Sequence, residues 1–213
     1  MVKIMLVDDH DLVRTGLRRL LEDNAAFSIV AEAANGEDSI SLTKVHQPDV
    51  VLMDLKMPGM GGLEATRKLK HLHPEVRIII VTMIDDIMFP QRLLRAGASG
   101  YLTKGAKIDE ITKAIREVMA NRRYISPDLA QRMATVELDD GRSPFEDLSE
   151  RELQVLMLLM DGQRVSDISD ELCLSPKTIS TYRYRLYDKL SVKNDIELTC
   201  LALEHGIIES KQH

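Results

Sequence analysis

The chain has 213 residues, of which 44% are hydrophobic and 29% are charged, and its formal net charge at pH 7 is −6. This composition excludes a disordered chain, and no apolar run approaches the roughly 20 residues that span a bilayer, so we expect no membrane contact. The amino terminus lacks a signal-peptide pattern and the two cysteines form no metal motif, so we expect a cytoplasmic protein with reduced thiols.

Five short runs of aliphatic or β-branched residues alternate with helical patterns through the first 120 residues. The runs are KIMLV, SIVAEA, VVLMD, IIIVT and GYLT, which begin at positions 3, 28, 50, 78 and 100. The spacing of apolar residues predicts helices over Leu12–Asp23, Leu63–His73, Phe89–Ala96 and Lys107–Ala120. Residues 1–120 are therefore predicted to form an α/β domain, a doubly wound parallel sheet of five strands.

The composition and the pattern of apolar residues change after residue 120. Residues 121–147 contain two prolines and a glycine around a thin apolar pattern at Leu129–Val136, which predicts a linker that holds a short helix. From residue 148 to residue 213 every segment has a helical pattern, which predicts a small all-α domain of four helices.

Capping signals mark the helices of this second domain. Ser149 and Glu152 have the spacing of a capping box at the first helix. Ser175 is placed to cap the third helix, with Pro176 at its first position, where the missing N–H costs nothing. The tight turn at 173–175 between two short helices predicts a helix-turn-helix.

Acidic residues stand at the carboxyl ends of two predicted strands. Asp8 and Asp9 follow the first strand, and Asp54 ends the third. In the flavodoxin-like strand order these two strands are neighbours, so we expect the three carboxylates to share one cleft. Such a cluster needs a cation, and ligands that are all oxygen favour Mg²⁺. A site of hard oxygens has no need of imidazole, so His10 is not predicted to be a ligand.

A hydroxyl and an ammonium complete this cleft. Thr82 ends the fourth predicted strand, and Lys104 follows the fifth. Together with the carboxylates they predict a phosphoryl-transfer site, in which Asp54 is the nucleophile while Mg²⁺ and Lys104 neutralise the transferred group. Each Asp alone is also typical of a helix cap or a turn. Five such residues at the ends of four strands favour the phosphoryl-transfer interpretation.

The predicted helix at Pro176–Leu190 is locally basic within an acidic chain. One of its faces is apolar and predicts packing, and another carries short polar and basic side chains. Short polar side chains suit base edges in the major groove, and Lys and Arg suit phosphates. A solvated helix face is the alternative. The predicted contacts with double-stranded DNA are Lys177, Thr178, Ser180, Thr181, Arg183, Tyr184, Arg185 and Lys189.

Several segments resemble a known family. LVDDHDLVRTGLRRLL, VVLMDLKMPGMGGLEATRKL, IIIVT and AGASGYLTKG resemble the CheY-like receiver domain of bacterial two-component response regulators. The segment LSERELQVLMLLMDGQRVSDISDELCLSPKTISTYRYRLYDKL resembles the LuxR-type helix-turn-helix. Nearly the whole chain is thus similar to response regulators of the NarL/FixJ family, and the match is closest to their GacA/UvrY group.

This resemblance implies what the acidic cleft does. Asp54 would accept a phosphoryl group from a sensor histidine kinase or a phosphotransfer domain and so switch a DNA-binding domain that regulates transcription. Asp9, Asp54 and the backbone carbonyl of Lys56 would ligate Mg²⁺, and Asp8 would act largely through water. The chain would catalyse only its own phosphorylation and dephosphorylation, and it would not be an enzyme in any other sense.

The resemblance also implies switch residues and a homodimer, and the sequence departs from the family pattern at three positions. Thr82 and Tyr101 would be the switch residues, and a homodimer would bind two DNA half-sites. Gly105 stands where many receivers have proline, so a cis bond there is not expected. Tyr182 and Ser191 replace the His and Gly that are common in LuxR-type domains.

Two other functions remain open on the residues alone. The acidic cleft is compatible with a Mg²⁺-dependent phosphohydrolase, which leaves the helical domain without a role. The helical domain is compatible with a module that binds a protein or RNA. Turnover of external phosphoesters would favour the first, and a comparison of duplex DNA with matched RNA tests the second.

Overall fold

A computed structural model of the chain describes residues 1–82, 92, 94–127, 130–131 and 144–205. The chain divides into two compact units, residues 1–139 and residues 140–213. Half of the predicted helix at Phe89–Ala96 and most of the predicted helix at Leu129–Val136 fall outside the described residues.

The first unit contains a parallel sheet of the strands β1 Val2–Val7, β2 Phe27–Ala33, β3 Val50–Met53, β4 Arg77–Thr82, β5 Gly100–Thr103 and β6 Tyr124–Ile125. Their order in the sheet is β2-β1-β3-β4-β5-β6. β1 and β3 are neighbours, so the predicted fold class and strand order are confirmed. The sheet has one strand more than predicted, because a pair of residues after the last helix adds a parallel edge that is too short to show alternation in the sequence.

The helices of this unit are α1 Asp11–Glu22, α2 Gly36–His46, α3 Gly62–Leu72 and α4 Ile108–Met119. Helix α2 was not among the predicted helices, because the positions it buries include Ser39 and Thr43 and form no apolar stripe. The side chain of Asn35 accepts the backbone N–H of Asp38 at 2.8 Å, and this cap was a usable signal of the helix start.

The central strands are buried on both faces. All four residues of β3 are buried, as are Ile78, Ile79 and Ile80 of β4. Helix α4 packs its apolar side against the sheet through Ile111 and Ile115. Burial of each such side chain stabilises the fold by roughly 1.5–3 kcal/mol. The strand ends are therefore held by a rigid core.

The second unit is helical throughout its described part. It begins with a 3₁₀ helix at Pro144–Asp147 that buries Phe145 fully, and the ring of Phe145 meets His205 edge to face at 5.7 Å. The predicted caps at Ser149, Glu152 and Ser175 are present. The helices that follow are α5 Glu150–Met160, α6 Val165–Glu171, α7 Pro176–Leu190 and α8 Asp195–Glu204.

Gly62, the first residue of α3, passes close to the backbone that follows β3. A β-carbon added at Gly62 would lie 1.9 Å from the carbonyl oxygen of Asp54. The N–H of Gly62 also donates to the carbonyl of Leu55 at 3.0 Å. Only glycine permits this approach, so α3 cannot begin here with another residue without displacing Asp54.

We expect Gly62→Ala to lower the free energy of unfolding of the first unit by more than about 2 kcal/mol, because the added carbon overlaps backbone atoms. Gly16 is the matched control, since it is exposed within α1 and has nothing within 4 Å of an added β-carbon. Gly16→Ala should stabilise the unit by up to about 1 kcal/mol, because alanine is the better helix former. Hydrogen exchange of the strand amides measures both changes, and similar changes at the two glycines would contradict the packing argument.

Candidate functional site

Asp54 lies directly after β3, at the carboxyl edge of the sheet, and is only 2% exposed. Its N–H continues the sheet by donating to the carbonyl of Val7 at 2.8 Å. One carboxylate oxygen accepts the N–H of Leu55 at 2.7 Å, and the other accepts from the ammonium of Lys104 at 2.8 Å. The side chain is thus held on both oxygens, at the position predicted for the nucleophile.

Asp8 lies beside Asp54 because their strands are in register. Val7 pairs with Met53, so the residues that follow them are neighbours. Asp8 is 4% exposed, and its Oδ2 lies 2.7 Å from the Nζ of Lys104. The backbone N–H of Lys104 donates to the carbonyl of Thr82 at 2.9 Å. One ammonium therefore joins two buried carboxylates.

The charges of this cluster do not balance. Burial raises the pKa of the Asp54 carboxyl, and although the hydrogen bond from Lys104 lowers it, Asp8 raises it again. Burial alone lowers the pKa of the Lys104 ammonium, but its hydrogen bonds to Asp54 and Asp8 outweigh burial and raise it. The rise at Asp54 comes first from burial, and the rise at Lys104 comes from its two carboxylate partners. One ammonium is thus shared by two carboxylates, in a cluster that could hold a further cation.

The loop after β1 adds two more donors. Asp9 and His10 join Asp8 and Asp54 in a group that could hold a metal ion, with one donor atom from each, all within 4.8 Å of one another. The Nδ1 of His10 lies 2.8 Å from Oδ1 of Asp9 and 3.2 Å from Oδ1 of Asp8. The three predicted carboxylates are thus brought together, and His10 is near them.

Arg14 supports this loop, and the sequence alone did not indicate it. Its Nη1 donates to the carbonyl oxygen of Asp8 at 2.5 Å, and its Nε donates to Glu32 at 3.3 Å. The side chain of Arg14 is only 13% exposed. Because Glu32 lies on β2, no local pattern around Arg14 could show this contact.

The remaining predicted site residues lie on β4, on β5 and in the loop after β3. Thr82 ends β4, and Tyr101 lies on the neighbouring β5, where it pairs with Ile80. Both side chains are buried. The N–H of Lys56 points to Asp54 Oδ1 at 3.4 Å. Their assigned roles, switching for the first two and a carbonyl ligand for Lys56, stay predictions.

Helix α7 has a buried side and an exposed side. Ile179, Leu186 and Leu190 are buried, and Tyr182 of the predicted packing face is half-buried. The hydroxyls of Ser180 and Thr181 donate to backbone carbonyls one turn earlier. The residues of the predicted DNA set that are exposed are Lys177, Thr181, Tyr184, Arg185 and Lys189, and the half-buried ones are Thr178, Ser180 and Arg183.

Two basic residues of that set are bound within the second unit. Arg183 forms an ion pair with Asp195 of α8, and its Nε donates to the hydroxyl of Tyr187 at 2.7 Å. Lys189 donates to Glu152 at 2.7 Å and to the carbonyl of Asp147 at 3.0 Å. Burial alone raises the pKa of Glu152, but the bonds from Lys189 and Ser149 outweigh it and lower the pKa.

Comparison with known proteins assigns a family to each part of the chain. Residues 4–116 match the response regulator receiver domain, and residues 146–202 match the luxR family of bacterial regulatory proteins. The response regulator GacA of Pseudomonas aeruginosa is 50% identical over 212 residues, which cover 99% of each chain. The response regulator UvrY of Escherichia coli is 47% identical over 213 residues, which cover 99% of this chain and 98% of UvrY.

Solved structures agree with that assignment. One is a structure of the response regulator RcsB of Salmonella typhimurium that describes conformational dynamism for DNA interaction. It has a TM-score of 0.72 and 26% sequence identity to this chain, and the match covers 96% of this chain and 98% of that chain. A structure of two RcsB dimers bound to two parallel DNAs has a TM-score of 0.60 at 25% identity, over 96% of this chain and 98% of that chain.

A receiver domain joined to a LuxR-type domain defines a response regulator of a two-component system that regulates transcription. Within this class, the chain belongs to the group formed by GacA and UvrY. The two domains imply a kinase and DNA as partners. None of the helices in the described ranges has the length and apolarity that crossing a membrane requires.

We expect Lys189→Met to destabilise the second unit by about 1–3 kcal/mol, because it leaves the carboxylate of Glu152, which is 3% exposed, without its cation. Lys193→Met is the matched control, since Lys193 is exposed just beyond α7, and it should change stability by less than about 0.5 kcal/mol. Hydrogen exchange of α5 and α7 amides measures the difference.

The same pair predicts a pH dependence. The pKa of Glu152 is lowered in the folded state, so the stability it contributes is present above its ordinary value of 4.5 and is lost as the pH falls below it. The difference between Lys189→Met and the unchanged protein should therefore shrink in acid. A difference that does not vary with pH would show that Lys189 acts through its aliphatic stem.

Proposed function

We propose that Asp54 is the phosphoacceptor of this response regulator and that its phosphorylation by a sensor histidine kinase, or through a phosphotransfer domain, controls DNA binding by α7. The observation that carries this proposal is the contact of one Asp54 oxygen with the ammonium of Lys104, 2.8 Å away, at the carboxyl edge of the sheet. Lys104 is in place to neutralise an anionic group that arrives at Asp54.

The transfer itself needs a nucleophile and a stabilised charge. A carboxylate oxygen of Asp54 attacks the phosphorus of a phosphohistidine, the new P–O bond forms as the P–N bond breaks, and the imidazole nitrogen keeps the electron pair. The phosphoryl group brings about −1.5 to −2 charges to a buried position. Lys104 offsets part of this charge, and the hydroxyl of Thr82 reorients toward the new oxygens while Tyr101 changes rotamer.

The donor set fits Mg²⁺. Asp9, Asp54 and the carbonyl of Lys56 would hold the ion, and Asp8 would act mainly through water. Bound there, Mg²⁺ supplies charge neutralisation to the transferred group. The support for this assignment is the cluster of oxygen donors and the negative charge that one ammonium leaves on two carboxylates.

We also propose that the chain acts on no external substrate. Its chemistry is the phosphorylation and dephosphorylation of Asp54, and its output is DNA binding in the cytoplasm. A phosphohydrolase would give the LuxR-type domain no task.

The DNA contact is proposed for the exposed side of α7. Ser180, Thr181 and Tyr184 would read base edges, and Lys177 and Arg185 would hold phosphates, with Thr178 beside them. Arg183 and Lys189 are bound to acidic residues of their own unit, so we expect weaker phosphate contacts from these two.

A homodimer on two half-sites is proposed as the DNA-bound form. One helix-turn-helix offers too little contact for tight specific binding, and dimers bound to DNA have been solved for RcsB. Phosphorylation then acts by favouring this form. A complete shift from about 1:99 to 99:1 would need roughly 5.5 kcal/mol of differential affinity, so we expect a partial shift.

Acetyl phosphate with Mg²⁺ should label Asp54 alone. Asp54→Asn should take up no label and should not respond to the donor in DNA titrations, because it lacks the nucleophilic oxygen. Unchanged full-length protein should bind DNA more tightly with the donor and should form more dimer in sedimentation. Phosphate incorporation, DNA anisotropy and sedimentation measure the three effects.

Asp49→Asn is the control for this experiment. Asp49 lies at the opposite end of the same strand and accepts the backbone N–H of Lys3 at 2.8 Å, so its variant should be labelled and should respond normally. Stoichiometric labelling of Asp54→Asn would overturn the nucleophile assignment. Equal DNA affinity of unchanged protein with and without label would overturn the switch.

Substitutions on α7 should separate phosphate contacts from base contacts. Lys177→Gln or Arg185→Gln should weaken binding to all duplexes and reduce the slope of log affinity against log salt by about 1. Ser180→Ala or Thr181→Ala should cost roughly 1–3 kcal/mol at one base pair and leave the slope unchanged. Anisotropy titrations over a salt series and a randomised site library provide the measurements.

Arg183→Gln and a matched RNA duplex serve as comparisons in those titrations. The slope should change less for Arg183→Gln than for Arg185→Gln, since Asp195 already holds the guanidinium of Arg183. If Ser180 and Thr181 variants keep the original base preference, this side of α7 does not read bases. Equal affinity for RNA would favour the interaction-module alternative.

A further inference from the structure

His10 occupies the loop between β1 and α1, immediately after the acidic pair. It is the residue that precedes the first turn of α1, yet its side chain makes no capping hydrogen bond. The imidazole is 65% exposed and turns toward the carboxylates of Asp8 and Asp9. The ring is therefore not used to begin the helix.

Local backbone geometry sets the position of this ring. The N–H of His10 donates to Oδ1 of Asp8 at 2.9 Å, which holds the carboxylate and the histidine backbone together. Arg14 holds the carbonyl of Asp8 from the other side. The imidazole therefore lies beside the acidic residues, and its Nδ1 also pairs with Oδ1 of Asp8 at 3.2 Å.

The imidazole is within hydrogen-bond distance of the acidic pair, and the same spacing of donor atoms suits one shared cation. Nδ1 of His10 lies 2.8 Å from Oδ1 of Asp9 and 3.2 Å from Oδ1 of Asp8. Adjacent ligands of one metal ion with bonds of about 2.0–2.2 Å stand about 3 Å apart. Lys104 holds the other oxygen of Asp8, so it does not occupy the side that faces His10.

We propose that His10 is a nitrogen ligand that lets the acidic cluster of Asp8, Asp9 and Asp54 discriminate among divalent cations. Mg²⁺ is held by oxygen atoms alone and makes no use of the ring. Cations with affinity for imidazole, such as Co²⁺ and Zn²⁺, gain the Nδ1 of His10 as an additional ligand. This inference rests on the metal site in the proposed function and extends it to the choice of metal.

The chemistry of the donors gives the direction of the preference. Imidazole suits Zn²⁺ and the later first-row metals, whereas Mg²⁺ prefers carboxylate, carbonyl and water. The ratio of Co²⁺ affinity to Mg²⁺ affinity should therefore be higher at this cluster than at one made of carboxylates alone. This added preference for Co²⁺ depends on His10.

The test compares Co²⁺ and Mg²⁺ binding by the full chain. His10→Gln keeps a hydrogen-bonding side chain but removes the imidazole, so Co²⁺ affinity should fall by about tenfold or more. Mg²⁺ affinity should stay within about twofold, since no Mg²⁺ ligand changes. Calorimetry measures Co²⁺ binding, amide chemical shifts measure Mg²⁺ binding, and ring protons shifted by bound Co²⁺ should vanish in His10→Gln.

His71→Gln is the matched control, because His71 is exposed at the end of α3, and it should leave Co²⁺ affinity at the cluster unchanged. Unchanged Co²⁺ affinity in His10→Gln would overturn the ligand role. Equal losses for Co²⁺ and Mg²⁺ would also overturn it, since the ring would then act only by positioning carboxylates. Failure of unchanged protein to bind either ion would instead reject the metal site of the proposed function.

Discussion

The ammonium of Lys104 between Asp8 and Asp54 is the contact on which the rest of the first unit depends. It links residues that follow β1, β3 and β5, so three strand ends are held at fixed separation. Removing one partner of a buried ion pair is costly because it leaves a charge without compensation. Here one ammonium is shared by two carboxylates, an arrangement that suits the proposed binding of a further cation and the proposed arrival of an anion near Lys104.

This contact can form only because the surrounding backbone is closely packed. Gly62 lets the start of α3 approach the carbonyl of Asp54, and the N–H of Leu55 holds one Asp54 oxygen. The other oxygen is left to face Lys104. The orientation of the proposed nucleophile is thus a consequence of backbone contacts, and the lysine responds to it. The buried strand end below the carboxylate supports that orientation.

The second unit also contains ion pairs, and these join α7 to other helices. Lys189, near the end of α7, binds the buried carboxylate of Glu152, which also caps α5. Arg183 binds Asp195 at the start of α8. These pairs fix α7 relative to its neighbours and commit two basic side chains of α7 to acidic partners, although Lys189 remains exposed. Lys177 and Arg185 are exposed and form no ion pair among the described residues, so they indicate which side of the helix can face a polyanion.

The sequence by itself determined the strands, most of the helices, their caps and the grouping of Asp8, Asp9 and Asp54, because these follow from short-range periodicity and from the ends of parallel strands. It did not reveal α2, whose buried Ser39 and Thr43 leave no apolar stripe, or the two-residue β6. Only the tertiary structure decided the partners of Arg14, Arg183 and Lys189. Each of these side chains is long and flexible, and the partners Glu32, Asp195 and Glu152 come from other elements of the chain, so local pattern carries no information about these pairings.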